Sequence, residues 1–154
     1  VATSPDWMSF LYSKIEQGCV IAGTVLDNTR IKAVHISGML IKSEIAKSVE
    51  FDPINDDYGI NVIDVGDNWT QYCRDNDLKY YCCNNTHNGN VEEIPEPYTN
   101  FHSDRAVDDD GNVIFLHLGR GTRKTFGQYN QPGKTLLAGW VEFVEREILE
   151  GSDG

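Results

Sequence analysis

Basic residues are scarce in this 154-residue sequence, and long apolar runs are missing from it. Lysine and arginine number 13 against 24 aspartates and glutamates, so the formal net charge at neutral pH is -11. A chain of that charge is repelled by DNA, RNA and anionic lipid unless a local basic patch overrides the repulsion. No stretch approaches the roughly 18 apolar residues of a membrane-spanning helix, so we expect no membrane span and no bulk DNA binding.

Motifs for metals, nucleotides and catalytic nucleophiles are missing as well. The cysteines and histidines show neither a CxxC pair nor a Cys–His pair at zinc spacing. The acidic stretches 52–57 and 108–112 lack the later glutamate of a calcium-binding EF-hand, and 127–135 does not have the glycine spacing of a phosphate loop. No Gly-x-Ser-x-Gly motif is present. We therefore expect no cofactor and no metal ion.

The four cysteines favour a secreted protein that is braced by two disulfides. Neighbouring residues on a strand point to opposite faces, and adjacent cysteines rarely bond to each other, so Cys82 and Cys83 need separate partners. Those partners are Cys19 and Cys73, which leaves two connectivities open. The preferred one joins Cys73 to Cys82 and Cys19 to Cys83. Disulfides persist mainly in oxidising compartments, so an extracellular location is expected.

Two further features agree with secretion. The chain begins at Val1 without a charged and apolar leader, which is the pattern expected after removal of a signal peptide. Asn68 and Asn84 each begin an Asn-x-Thr triplet, the acceptor pattern of N-glycosylation. The sequence thus predicts a secreted glycoprotein.

Helices are predicted at both ends of the chain. The first begins with Ser4 as its N-cap and Pro5 in its first turn, and Gly18 ends it. The second covers about 134–150 and carries one apolar stripe of Leu137, Trp140, Val141, Val144 and Ile148.

The middle of the chain is predicted to be mostly strand. Apolar or β-branched runs indicate strands at about 20–26, 31–36, 60–65 and 78–83, and the pattern from 37 to 51 is ambiguous. Asp110-Gly111 supplies the tight turn of a hairpin that covers 106–118. The prediction is one α+β domain over residues 1–154, an antiparallel sheet flanked by the two helices, with 151–154 as a disordered tail.

Candidate catalytic groups are concentrated between residues 92 and 117, namely Glu93, His102, Arg105 and His117. A carboxylate, two imidazoles and a guanidinium can supply the base, the acid and the charge stabilisation that phosphodiester cleavage needs. Residues 92–117 resemble the guanyl-specific fungal ribonucleases, in which an arginine opens a hairpin and a histidine closes it. The two terminal helices depart from that family's fold.

A basic cluster stands out in this acidic chain. It lies in a predicted exposed loop at 119–132, where three cations are followed by two aromatic side chains that suit contact with a partner: Arg120, Arg123, Lys124, Phe126 and Tyr129. Such a combination can bind a phosphate, a sulfated glycan or an acidic protein.

Two functions follow from these patterns. The favoured one is a secreted binding protein of effector or toxin type, which recognises a protein or glycan on a host or cell surface without catalysis. The alternative is a small secreted hydrolase, namely a ribonuclease that uses Glu93, His102, Arg105 and His117. The partner, the disulfide pairing and the oligomeric state stay open at this point.

Overall fold

The computed structural model describes residues 1–25, 31–51, 54–55, 61–63, 65–85, 104–117 and 137–150. Helices and strands are mixed along these ranges, which confirms the predicted mixed α and β character. The elements, in chain order, are α1 (Trp7–Glu16), β1 (Ile21–Gly23), β2 (Met39–Ile41), α2 (Ser43–Ser48), β3 (Ile54–Asn55), β4 (Asn61–Ile63), α3 (Asp67–Asp75), β5 (Tyr80–Cys82), β6 (Asn84–Asn85), β7 (Asp104–Val107), β8 (Val113–His117), α4 (Leu137–Val144) and a π-helical turn (Glu145–Leu149).

The first helix ends where the sequence predicts and begins later than predicted. Gly18 has φ +94°. Its N–H donates to the carbonyl of Ile15, and the N–H of Cys19 donates to the carbonyl of Lys14. This is a Schellman ending, which a residue without Cβ adopts at little cost. At the other end, Ser4 Oγ accepts the N–H of Asp6 at 3.2 Å. The serine therefore forms a turn before the helix, which begins at Trp7.

One sheet has the order β2-β1-β5, with β1 in the centre. Ile21 of β1 is paired with Ile41 of β2 in an antiparallel register and with Tyr80 of β5 in a parallel register. The prediction of an antiparallel sheet is therefore wrong for the β1–β5 pair. Parallel strands need a long crossover, and the chain between β1 and β5 supplies one that contains α2 and α3. A further pair, β3 and β4, is antiparallel.

The predicted hairpin forms β7 and β8, and β6 adds to the β7 edge. Asp108 Oδ1 accepts the N–H groups of Asp110 and Asn112 at 2.9 and 2.8 Å. Gly111 completes the turn with φ +86°. The turn was predictable because the aspartate satisfies the tip's backbone donors and the glycine takes the left-handed conformation.

Residues 1–3 cover the outer edge of β8. The N–H of Leu116 donates to the Val1 carbonyl at 2.8 Å, and the Val1 ammonium donates to the Leu116 carbonyl at 2.6 Å. Thr3 donates its N–H to Ile114 O at 3.0 Å and its hydroxyl to Val113 O at 2.6 Å. Burial lowers the pKa of the Val1 amino group. The start of the chain thus pairs with β8 as a short additional strand would.

The cysteines correct the disulfide prediction. All four are described, and all four are free thiols. Cys82 packs in the cluster around Trp69 and Cys83 in the cluster around Leu11, so the prediction that they face opposite sides is confirmed. Cys19, Cys73 and Cys83 are 2%, 0% and 3% exposed. The thiols fill core space as small apolar groups, and the predicted bracing by two disulfides is wrong.

Thiol labelling checks this arrangement. Burial raises the pKa of Cys82 and of Cys83 from 9.0 to about 12, and the neighbouring thiol adds to the rise at Cys82. The reactive thiolate is then about a thousandfold rarer than for an ordinary cysteine at neutral pH. We expect slow reaction of the native chain with Ellman's reagent and four reactive thiols per chain in guanidinium without reductant. Fewer than four thiols after unfolding would show that disulfides form.

The predicted strand at 31–36 is wrong. Lys32 has φ +55°, which breaks an extended backbone. The N–H of Val34 donates to the buried hydroxyl of Thr70 at 3.0 Å. The two residues are distant in sequence, so no local sequence pattern predicts this hydrogen bond. Arg74 donates to the carbonyls of Ile31 and Lys32 and so fixes this segment against α3. The strand and helix of this region are β2 and α2, further along the chain.

The predicted C-terminal helix is confirmed as α4 (Leu137–Val144) and the π-helical turn (Glu145–Leu149) that follows it. Its predicted start near residue 134 lies outside the described residues. Its buried face differs from the predicted stripe, because Val141 is 40% exposed and Phe143, at 2% exposed, takes its place in the core. The contacting residues of this region are Phe143, Val144, Trp140 and Ile148 of the helix with Val107, Val113 and Leu116 of the hairpin.

Candidate functional site

The predicted site residues fall into two groups. Arg105 and His117 lie in β7 and β8, where the structure describes them. The others lie outside the described residues: Glu93, His102, Arg120, Arg123, Lys124, Phe126 and Tyr129. The contribution of those residues stays a prediction from the sequence.

Arg105 and His117 lie at the same end of the hairpin, as the sequence predicts, but on opposite faces. The register pairs Arg105 with Leu116 and Asp104 with His117. Directly opposed residues share a face, and successive residues alternate between faces. Arg105 is 4% exposed, whereas His117 is only half-buried. The hairpin therefore does not bring this guanidinium and this imidazole to one substrate, and the ribonuclease hypothesis loses that support.

His117 lies instead beside His35, a residue that the sequence analysis did not single out. The ring centres are 5.2 Å apart and the planes are inclined by 38°. Both side chains are half-buried. No local pattern could reveal this pair, because the two histidines are 82 positions apart and the pairing depends on how residues 35–38 cross the face of β8.

The backbone around His35 is fixed by several hydrogen bonds. Its N–H donates to Val25 O at 2.8 Å, and its Nδ1 accepts the N–H of Ser37 at 3.1 Å. Thr24 Oγ1 lies 2.9 Å from Ser37 O and 3.1 Å from Gly38 O. Gly38 has φ +67°, and a Cβ at this position would lie 2.8 Å from the Phe115 ring. The turn at 35–38 is consequently held in one place against β8.

Two large apolar side chains are exposed near this turn. Ile36 is 40% exposed and Phe51 is 45% exposed. The Phe51 ring lies on the Trp69 ring, with centres 5.0 Å apart. A Cβ added to Gly66 would contact both Ile36 and the six-membered ring of Trp69, so these two side chains are close neighbours. We name Ile36 and Phe51, with Trp69 beneath them, the Trp69 surface.

Backbone bonds also fix Phe51. Its carbonyl accepts the N–H of Gly66 at 3.3 Å, and the carbonyl of Glu50 accepts Asn68 Nδ2 at 3.2 Å. Both exposed side chains of the Trp69 surface thus stand on anchored backbone. A binding surface that is fixed before binding loses less conformational entropy when a partner arrives.

The bond from Asn68 bears on the first glycosylation triplet. Asn68 lies inside α3 and is 9% exposed, and its amide nitrogen, the atom that a glycan would modify, is the donor to Glu50 O. The folded chain thus presents this nitrogen poorly to a glycosyltransferase. Asn84 lies in β6, and its side chain is outside the described residues.

A second charged cluster joins α1 to the hairpin tip. Lys14 is 6% exposed, and its Nζ lies 2.5 Å from Asp109 Oδ2. The same ammonium lies 4.5 Å from the ring centre of Phe10 and 4.7 Å from that of Tyr81. Tyr81 donates its hydroxyl to Asp109 Oδ1 at 3.3 Å, and burial is the main cause that raises the pKa of this phenol. The cluster thus connects α1, β5 and the tip of the β7–β8 hairpin through noncovalent contacts.

None of the helices in the described ranges is long and apolar enough to cross a membrane. Comparison with protein families, with curated proteins and with solved structures finds no match to this chain.

Proposed function

We propose that this chain is a binding protein of effector type, which recognises a partner protein through the Trp69 surface. The observation that carries the proposal is the pair of exposed apolar side chains, Ile36 and Phe51, on backbone that several hydrogen bonds fix. Exposed apolar groups that cluster on one surface commonly mark a contact site.

The charge of the chain indicates the kind of partner. A net charge of -11 favours a partner whose surface is basic around an apolar centre, because complementary charge speeds association and excludes wrong partners. Apolar anchors such as Phe51 would provide much of the binding energy, since a few well-packed residues usually dominate an interface. The predicted basic loop at 119–132 is a second contact region of opposite charge, proposed from the sequence alone.

Aspartate substitutions on the Trp69 surface test the proposal. Labelled wild type would be screened against arrayed extracellular proteins and glycans, and each hit would be titrated with Ile36→Asp and Phe51→Asp. We expect each variant to lower affinity by about 30-fold, which corresponds to a contact residue worth about 2 kcal/mol. The reason is that a carboxylate placed in an apolar contact must be desolvated without a partner.

The matched control is Tyr12→Asp, because Tyr12 is 56% exposed on α1, outside the Trp69 surface. This variant should keep wild-type affinity, and thermal melts would confirm that all three variants fold. Arg123→Glu combined with Lys124→Glu tests the basic loop in the same assay. If wild type binds nothing on the array, or if every hit tolerates both Ile36→Asp and Phe51→Asp, the proposed surface is wrong.

An extracellular location is proposed from the sequence alone, because the free thiols remove the support that disulfides would have given. Expression in the source cells followed by detection of the chain in the medium and in the cell lysate would decide it.

A further inference from the structure

We propose that the outer edge of β8 is a strand-addition site for an extended, uncharged segment of a partner protein, and that residues 1–3, which we name the strap, cover this edge until the partner displaces them. The partner segment would pair with β8 through the backbone groups that now bind the strap. In such sites the main-chain hydrogen bonds provide affinity and the side-chain contacts provide specificity. The site does not use the residues of the Trp69 surface.

β8 has the composition of a central strand but lies at the edge of its sheet. The sheet order is β6-β7-β8, so one side of β8 pairs with β7. Residues 113–116 are all apolar and at most 9% exposed, and none of them is charged or a proline. Proteins protect edge strands with charges, prolines or a covering segment, because the free backbone groups of an edge accept another strand. For β8 the strap provides the cover.

Two bonds of an antiparallel ladder hold the strap on β8. The N–H of Leu116 donates to Val1 O at 2.8 Å, and the N–H of Thr3 donates to Ile114 O at 3.0 Å. Both bonds use backbone groups of the strap, which almost any extended segment can supply in the same antiparallel direction. The strap thus shows the direction and the register that a partner segment would adopt.

Ala2 shows which side chain the edge accepts. It is paired with Phe115 in an antiparallel bridge, and it packs against the core cluster that contains Leu11. Trp7 also contacts the Phe115 ring, with ring centres 5.5 Å apart. The Ala2 methyl group therefore lies beside aromatic side chains that are already packed. A partner segment needs a small apolar residue at this position, and a charged residue there would be desolvated without a counterion.

The strap is held less firmly than the strand beneath it. Val1 is 39% exposed, and Ala2 and Thr3 are half-buried, whereas Leu116 of β8 is fully buried. Segments that bury few apolar groups open at a lower free energy than the core does. A partner segment that is longer than the strap, and so buries more surface along β8, can therefore replace it.

Hydrogen exchange followed by nuclear magnetic resonance tests whether the strap opens alone. Ala2→Asp places a carboxylate against the apolar cluster, and Thr3→Pro removes the N–H that binds Ile114 O. In both full-length variants we expect the Leu116 amide to exchange at least roughly tenfold faster than in the wild type. The Phe115 amide faces β7, because successive N–H groups of a strand alternate in direction, and its rate should not change. Thermal melts would confirm that both variants fold.

A synthetic peptide with the sequence of residues 1–6, Val-Ala-Thr-Ser-Pro-Asp, is the probe for the partner segment. Titrated into Ala2→Asp, it should shift the amide signals of Ile114 and Leu116. We expect it to bind this variant at least roughly tenfold more tightly than the wild type. The reason is that the wild-type edge is free only in the fraction of molecules whose strap is open, and the apparent affinity falls by that fraction.

Two altered peptides and one further variant are the controls. A peptide with N-methylated threonine and a peptide with aspartate in place of alanine should both fail to bind. Phe51→Asp combined with Ala2→Asp should bind the unmodified peptide as Ala2→Asp does, which separates this site from the Trp69 surface. The proposal is overturned if Leu116 exchanges at the wild-type rate in both strap variants, if neither variant binds the peptide, or if N-methylation leaves binding unchanged.

Discussion

Replacement of Gly38 with alanine is expected to lower the free energy of unfolding by about 2–5 kcal/mol. Gly38 has φ +67°, a conformation that costs an L-residue about 1–2 kcal/mol. A Cβ there would also overlap the Thr24 hydroxyl and lie 2.8 Å from the Phe115 ring. Displacing packed side chains adds about 1–3 kcal/mol. Thr24 and Phe115 are buried, so neither can move without disturbing the core.

Gly111→Ala is the matched control. Gly111 has φ +86°, yet a Cβ there meets no atom within 4 Å, so only the backbone cost of about 1–2 kcal/mol is expected. Urea unfolding monitored by circular dichroism would give both values. The difference between the two variants isolates the steric contribution of the turn at 35–38. Equal destabilisation of both variants would show that this turn is free to move away from β8.

Loss of the carboxylate at Asp109 is expected to cost more stability than loss of the ammonium with which it pairs. Asp109→Asn leaves the Lys14 ammonium buried between two aromatic rings without its counterion, and we expect a loss of about 1–3 kcal/mol. Lys14→Met keeps the apolar stem and removes the charge, so a change within about 1 kcal/mol is expected. Asp109 is largely exposed, which keeps the effect below that of a fully buried pair.

The double variant tests whether the two effects share one cause. Lys14→Met combined with Asp109→Asn should be about as stable as Lys14→Met alone, because the aspartate matters chiefly while the ammonium is present. The same unfolding measurement applies to all three variants. Additive losses in the double variant would mean that Lys14 and Asp109 act through separate contacts.

The parts of the fold that the sequence predicts are those that local chemistry determines. Gly18 ends α1 because the residue after a helix adopts positive φ there, and Asp108 with Gly111 closes the hairpin through bonds within five residues. The opposite orientation of Cys82 and Cys83 follows from strand geometry alone. Each of these features can be read from a short window of sequence.

The parts that the sequence does not predict depend on contacts between distant segments. Thr70 binds the backbone at Val34 and so prevents a strand there, although the β-branched residues favour one. The parallel pairing of β1 with β5 needs a crossover that no short window shows. The pair of His35 and His117 has the same origin, and it replaces the predicted meeting of Arg105 with His117. An even number of cysteines likewise predicted disulfides that a reduced, well-packed core does not contain.

The pairing of residues 1–3 with β8 has a consequence for the order of folding. Thr3 bonds across 110 positions to Val113, and Val1 across 115 positions to Leu116. During synthesis the hairpin can form as soon as residue 117 has emerged, since its own contacts are local. Residues 1–3 can dock only on that finished strand, although they are synthesised before it. Contacts of such large sequence separation slow folding. We therefore expect α1 and the hairpin to form early and the pairing of residues 1–3 with β8 to form last.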